Sequence, residues 1–181
     1  MTGQVQKVII GGVQYDRNNV KSSGQKDGTH TVELKDGTTI TYKTQAQGHE
    51  AQVTVNKDKT VVFSGLAGAT ITDVAGQDDK YLFSGSQNCT VKARHTSVFT
   101  KDSDQFYFNP ERQLSNGAVQ ETKYIIIEGN EGDKPHGRTF DLFDYKDQDQ
   151  YHYIGKNNEG YHSSKSESTP WYKSLLNSMG L

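Results

Sequence analysis

The sequence predicts an all-β protein, and specifically a parallel β-solenoid (β-helix) over residues 1–130 closed by a small C-terminal capping segment at 131–181, with an antiparallel β-sandwich or barrel as the alternative. Three observations carry this expectation. Val61-Val62-Phe63-Ser64-Gly65 followed by Thr70-Ile71 returns at an offset of 20 as Tyr81-Leu82-Phe83-Ser84-Gly85 followed by Thr90-Val91, and at the same offset Asp58 meets Asp78. Apolar residues from Lys7 onward come in short clusters separated by Gly, Asp, Asn and Ser, the pattern of strands and tight corners. Helix signals are missing over the same span. A period near 20 suits one lap of a solenoid, because three short strands and their corners use roughly 18 to 25 residues.

Taken in order, the clusters fall at residues 8–10, 32–34, 40–42, 53–55, 61–63, 71, 81–83, 91, 98–99, 106–108 and 124–127. The spacers between them include Asp27-Gly28, Asp36-Gly37 and Asn116-Gly117, residue types that tolerate a left-handed backbone. Asp36-Gly37 tests the hairpin alternative. A two-residue loop there sets Leu34 against Thr39 and Glu33 against Ile40, which puts the apolar faces of the two strands on opposite sides unless a bulge intervenes. A solenoid corner requires no such repair. Residues 53–55 and 60–63 do pair acceptably as a hairpin, with Val53 opposite Val62. Under the solenoid reading Phe63 and Phe83 stack as interior neighbours about 4.8 Å apart along the axis.

Beyond residue 130 the pattern changes. Residues 131–137 are rich in turn formers, 139–145 and 151–155 alternate as two strands, 163–169 form a Ser, Lys and Glu tract, and 171–179 follow Pro170 with helical spacing. A terminal element that covers apolar edges and unpaired backbone groups is what a solenoid end needs.

Hydrophobic residues make up only 31% of the chain while Gly (18) and Tyr (10) are plentiful, which implies a thin core and excludes a helical bundle with its wide apolar stripes. The net charge is -2 and the basic residues are dispersed, so nucleic acid is not expected as a partner. No apolar run approaches the roughly 20 residues of a membrane span, and residues 1–6 lack the parts of a secretory signal. With Cys89 as the single cysteine no internal disulfide forms, and the polar, cysteine-poor composition is that of bacterial secreted or cell-surface proteins.

No catalytic residue is assigned. Asp78-Asp79, Asp102 with Asp104, and Asp141, Asp144, Asp147 and Asp149 follow no calcium-loop order and read as solvated turn acids. The six histidines are scattered, and neither a metal nor a cofactor is expected. Cys89 occupies the repeat position of Ala69 and reads as a small inward side chain. Ser64 and Ser84 recur with the repeat and read as corner residues, while Asp73, Lys92 and Arg94 read as surface ion-pair formers. The densest aromatic group lies late in the chain. Tyr151 and Tyr153 share a strand face by the period of two, and with Trp171 they form the expected ligand-binding set.

The layout is similar to β-helical adhesin segments of bacterial surface proteins. The expected function is a non-catalytic binding or structural module with a glycan or protein partner. A carbohydrate-active enzyme on a β-helix, of the polysaccharide lyase or hydrolase type, and a secreted effector or toxin-like protein are the alternatives.

Overall fold

The structure, a computed structural model, describes residues 6–94, 102–129, 134–136, 150–155 and 161–164. The chain is nearly all β, in two mixed, open sheets with a sandwich-like arrangement. It starts with the hairpin β1 (Lys7–Ile10) and β2 (Val13–Asp16), then the antiparallel meander β3 (Val20–Lys26), β4 (Thr29–Leu34) and β5 (Thr39–Lys43), then the hairpin β6 (Gln52–Val55) and β7 (Val61–Ser64). Four strands follow that alternate between the sheets: β8 (Thr70–Thr72), β9 (Lys80–Ser84), β10 (Gln87–Lys92) and β11 (Gln105–Asn109). A small ribbon of β12 (Glu111–Gln113) and β13 (Val119–Glu121) precedes β14 (Lys123–Glu128), β15 (Lys134–His136), β16 (Gln150–Gly155) and β17 (Tyr161–Ser164). One sheet has the order β1-β2-β6-β7-β9-β11-β15 and the other β17-β16-β14-β10-β8-β5-β4-β3.

The solenoid expected for residues 1–130 is therefore corrected to a mixed sandwich-like fold. The repeat itself is real and local. Phe63 pairs with Phe83 and Ser64 with Ser84 in parallel register, as do Thr70 with Thr90 and Ile71 with Val91. A third unit joins at other offsets, with Phe108 on Phe83 and Ile125 on Cys89. On either side of these three units the strands reverse: β5 runs antiparallel to β8, β6 to β7, and β14 to β16. The described strands after residue 130 lengthen the sheets, β15 beside β11 and the β16–β17 hairpin beside β14.

The β6–β7 reversal is made by a loop type that also joins β4 to β5 and β12 to β13. Leu34 donates its N–H to Thr38 O (2.8 Å), Asn56 to Thr60 O (2.9 Å) and Leu114 to Ala118 O (2.7 Å), each closing a three-residue loop. The third loop residue is left-handed in each case, Gly37 at φ 98, Lys59 at φ 68 and Gly117 at φ 88. The middle residue accepts from the backbone N–H two positions on, as Asp36 does from Thr38 (2.8 Å), Asp58 from Thr60 (3.2 Å) and Asn116 from Ala118 (2.9 Å). That extra residue shifts the register by one from the two-residue case. Val32 consequently faces Ile40, and Val53 faces Phe63 instead of the expected Val62. The apolar faces align.

The core lies between the inner faces of the sheets. Tyr15, Val53, Phe63, Phe83 and Phe108 are successive partners across one sheet, and Val32, Ile40, Ile71, Val91 and Ile127 across the other. All ten are buried, and each is stabilised by about 1.5–3 kcal/mol through burial alone. Two polar contacts sit inside this apolar layer. Tyr42 Oη donates to Ile10 O (2.8 Å), so at 2.6 Å the Tyr15 hydroxyl donates to it in turn, linking β2 to β5. Burial pushes the Tyr42 phenol up to about 12, so neither hydroxyl carries charge at neutral pH.

Candidate functional site

Two loops that connect the stacked units bring acids together. Asp73 follows β8, Asp79 precedes β9 and Asp104 precedes β11, and one oxygen from each lies within 4.8 Å of the others. Tyr81 Oη donates to Asp73, the Asp79 N–H to Asp104 Oδ1 (2.9 Å), and the Gly76 N–H to Asp102 Oδ2 (3.1 Å). Asp73, Asp102 and Asp104 are 5%, 8% and 0% exposed, so these acids are interior groups that bind backbone and hydroxyl donors, contrary to the solvated turn acids expected at Asp102 and Asp104 and to the surface ion pair expected at Asp73. The oxygens are close enough for one cation to bridge. Without a cation, a shared proton relieves their repulsion.

Burial first, then the proton shared with Asp73 and the charges of Asp73, Asp36 and Asp102, push the Asp79 carboxyl up to about 8. The folded state therefore holds a proton that the unfolded chain releases above about 3.8. The stability this group lends is complete below that value and is lost as pH rises to about 8. Asp79→Asn is expected to raise the melting temperature by a few degrees at pH ~8 and to leave it unchanged only at pH ~3, below the unfolded value. Equal shifts at both pH values would show that the proton is not held. A calcium-dependent rise in the wild type at pH ~8, absent from Asp79→Asn, would put a cation in its place.

A second polar device holds the opposite corners. The β12–β13 ribbon carries Arg112, whose Nε donates to Gln120 Oε1 (2.8 Å) and whose Nη2 donates to Glu50 O (2.8 Å) and to His49 O. Burial lowers the guanidinium pKa, although it stays charged at any ordinary pH. The group lies against Gly65 and Gly85, the glycines of the repeated Phe-Ser-Gly, at φ 67 and 70. Ser64 and Ser84 face each other in register at the same corners, and Ser86 Oγ donates to Phe63 O (2.9 Å) while accepting from the Leu66 N–H (3.1 Å). Cys89 is wholly buried and its thiol is pushed up to about 12 by desolvation, which leaves it unreactive at neutral pH.

Of the expected ligand-binding set, Tyr153 is 5% exposed and stacks on Phe108 with centroids 4.3 Å apart, closing the aromatic column from the other sheet. Tyr151 lies on β16 opposite Ile127, and Trp171 is outside the described residues, as are Asp141, Asp144, Asp147 and Asp149.

The outward face of the eight-stranded sheet carries a different pattern. Thr31, Thr41, Thr70 and Thr90 are successive partners across β4, β5, β8 and β10, and the row continues through Ile126 to His152. A neighbouring row runs Glu33, Thr39, Thr72, Lys92 and Glu128, and a third joins Lys26, Thr29 and Lys43. Each of these residues is partly or fully exposed, and all but Lys26 alternate with a core residue on their strand. The signal was present in the sequence as Thr29-His30-Thr31, Thr39-Ile40-Thr41 and Thr70-Ile71-Thr72. It becomes a surface only through the register.

No family model, curated protein or solved structure matches the chain. Among the described residues no helix is long and apolar enough to cross a membrane.

Proposed function

We propose that the chain is a non-catalytic binding module whose ligand is a glycan laid across the outward face of the eight-stranded sheet, and that it works on a cell surface or outside the cell. The observation that carries this reading is the in-register row of Thr31, Thr41, Thr70 and Thr90. Adjacent strands repeat at about 4.8 Å, so the row offers evenly spaced hydroxyls, each able to donate and accept. β-Branching restricts their rotamers, which lowers the ordering cost of engaging a polymer. A glycan chain supplies repeated hydroxyls and C–H faces for the threonine oxygens and methyls. The buried acids favour a binding role over a catalytic one, since Asp73 and Asp104 are enclosed by the fold where no polymer reaches them.

The test is a glycan array followed by titration of any hit with the wild type and with Thr41→Val and Thr70→Val combined. These substitutions keep shape and remove hydroxyls. A loss of binding of ~10-fold or more with an unchanged melting temperature is expected, given about 0.5–1.5 kcal/mol per hydrogen bond. A wild type that binds no glycan, or a double variant that binds equally well, would overturn the proposal.

A further inference from the structure

The face ends in a trough. It has a volume of about 510 Å³ and is lined by Gly24, Gln25, Lys26, Asp27, Thr29, Thr31 and Lys43. Its origin lies in β3, which pairs with β4 but whose register breaks between Val20 and Ser22. Such a bulge increases local twist and takes a strand out of line with its sheet. Every residue of β3 after Val20 is exposed, so this end of the strand no longer covers the core and instead forms a wall. Gly24 carries no side chain and has open space beside it, so the wall is low where it faces Thr31.

The charges in the trough are placed by register. Lys26 pairs with Thr29, and Thr29 pairs with Lys43, so two ammonium groups flank one hydroxyl across three adjacent strands. Among the described residues neither lysine forms an ion pair; the one such pair on this part of the sheet is Lys21 with Glu33 at 3.4 Å. Asp27 sits at the hairpin turn, outside the paired row. The next row along the strands begins at Gly24 and Thr31 and leads directly into Thr41, Thr70 and Thr90. A chain lying on the threonines therefore runs past two unpaired cations.

We infer that the trough selects a carboxylated glycan, a uronic-acid chain whose carboxylate sits over Thr29 between Lys26 and Lys43 while its neutral hydroxyls continue along the threonine row. This rests on the glycan-binding reading above. Two ammonium groups separated by a hydroxyl suit a carboxylate, which accepts from both cations and from the threonine at once. The lysines add charge recognition to a hydroxyl face that alone cannot distinguish acidic from neutral chains.

The test compares hexagalacturonate with its methyl ester, the same chain without charge, and with the neutral cellohexaose. Each is titrated by calorimetry against the full wild-type chain and a Lys26→Gln, Lys43→Gln variant, at low and at physiological salt. The acid is expected to bind ~10-fold or more tightly than its ester at low salt, with the gap narrowing as salt screens the lysines. In the double variant the acid should fall to the affinity of the ester, with the melting temperature unchanged. Equal binding of acid and ester by the wild type, or retention of the preference in the variant, overturns the carboxylate assignment and leaves the threonine face standing. Binding of none of the three chains overturns the assignment, and a blank glycan array beside it overturns the glycan reading as well.

Discussion

Replacing Phe83 by alanine is expected to cost about 3–5 kcal/mol of folding stability, the range for deleting a buried phenylalanine ring. The ring is wholly buried and occupies the middle of a column, 5.1 Å from Phe63 and 5.9 Å from Phe108 between centroids. Its neighbours belong to strands on either side, so neither can move into the space without leaving its own register. The loss therefore combines burial, stacking on two faces and a cavity that cannot collapse. In a domain of this length the melting temperature should fall by on the order of 10 °C. Urea melts of the variant settle it: a loss below ~1 kcal/mol would mean that the column carries no load and that the inner face has been misidentified.

Gly65→Ala is expected to cost about 3–4 kcal/mol, far more than the ~1–2 kcal/mol that a left-handed backbone alone imposes on alanine. Its added methyl would stand 2.5 Å from the His49 carbonyl and against the Arg112 guanidinium. Relieving that clash means giving up charged hydrogen bonds from Arg112 to the His49 and Glu50 carbonyls, each contributing roughly 1.5–3 kcal/mol. Gly68 is the internal control. It has φ 68 against 67 for Gly65, yet an added Cβ there meets nothing within 4 Å. Asn88 shows that the backbone tolerates a side chain at the matching position of the next unit, at φ 57. Gly68→Ala should thus cost only the conformational part, and the difference between the two variants isolates the contact with Arg112. Equal losses in thermal melts would remove any role for the arginine at this corner.

The sequence made two units of the stack legible because nothing interrupts residues 61–72 or 81–92. The third was hidden by two insertions of unequal length, which set Phe108 at 25 residues from Phe83 but Ile125 at 36 from Cys89. The difference is the β12–β13 ribbon, so the element that hid the repeat is also the one that supplies Arg112. The antiparallel flanks were misjudged for a narrower reason. Parity counted across Asp36-Gly37 assumed two loop residues, whereas Lys35 joins them as a third and Gly37 absorbs the offset in a left-handed conformation. Strand positions and inward residues were readable from alternation, but strand direction depended on that one residue. The acid cluster was not readable at all, because Asp104 reaches Asp73 and Asp79 only through the parallel pairing of β9 with β11. Tyr153 misled for a similar reason, since an aromatic pair on one strand face gives no indication of which face is inside.

The Arg112 clasp also imposes an order of events on a chain made from its N-terminus. The three hairpin loops close within a few residues and require nothing made later, so β4 with β5 and β6 with β7 can pair on the microsecond scale as soon as they are available. Arg112 binds carbonyls 63 and 62 residues upstream. Until it arrives, the Gly65 and Gly85 corners are held by backbone hydrogen bonds and the Ser86 hydroxyl. Contacts of that sequence separation are the slow ones, and an emerging chain adds roughly 5–20 residues each second. For roughly 1 to 4 seconds of synthesis the two legible units exist without their latch, and this is the interval in which the nascent protein depends most on the surroundings that receive it.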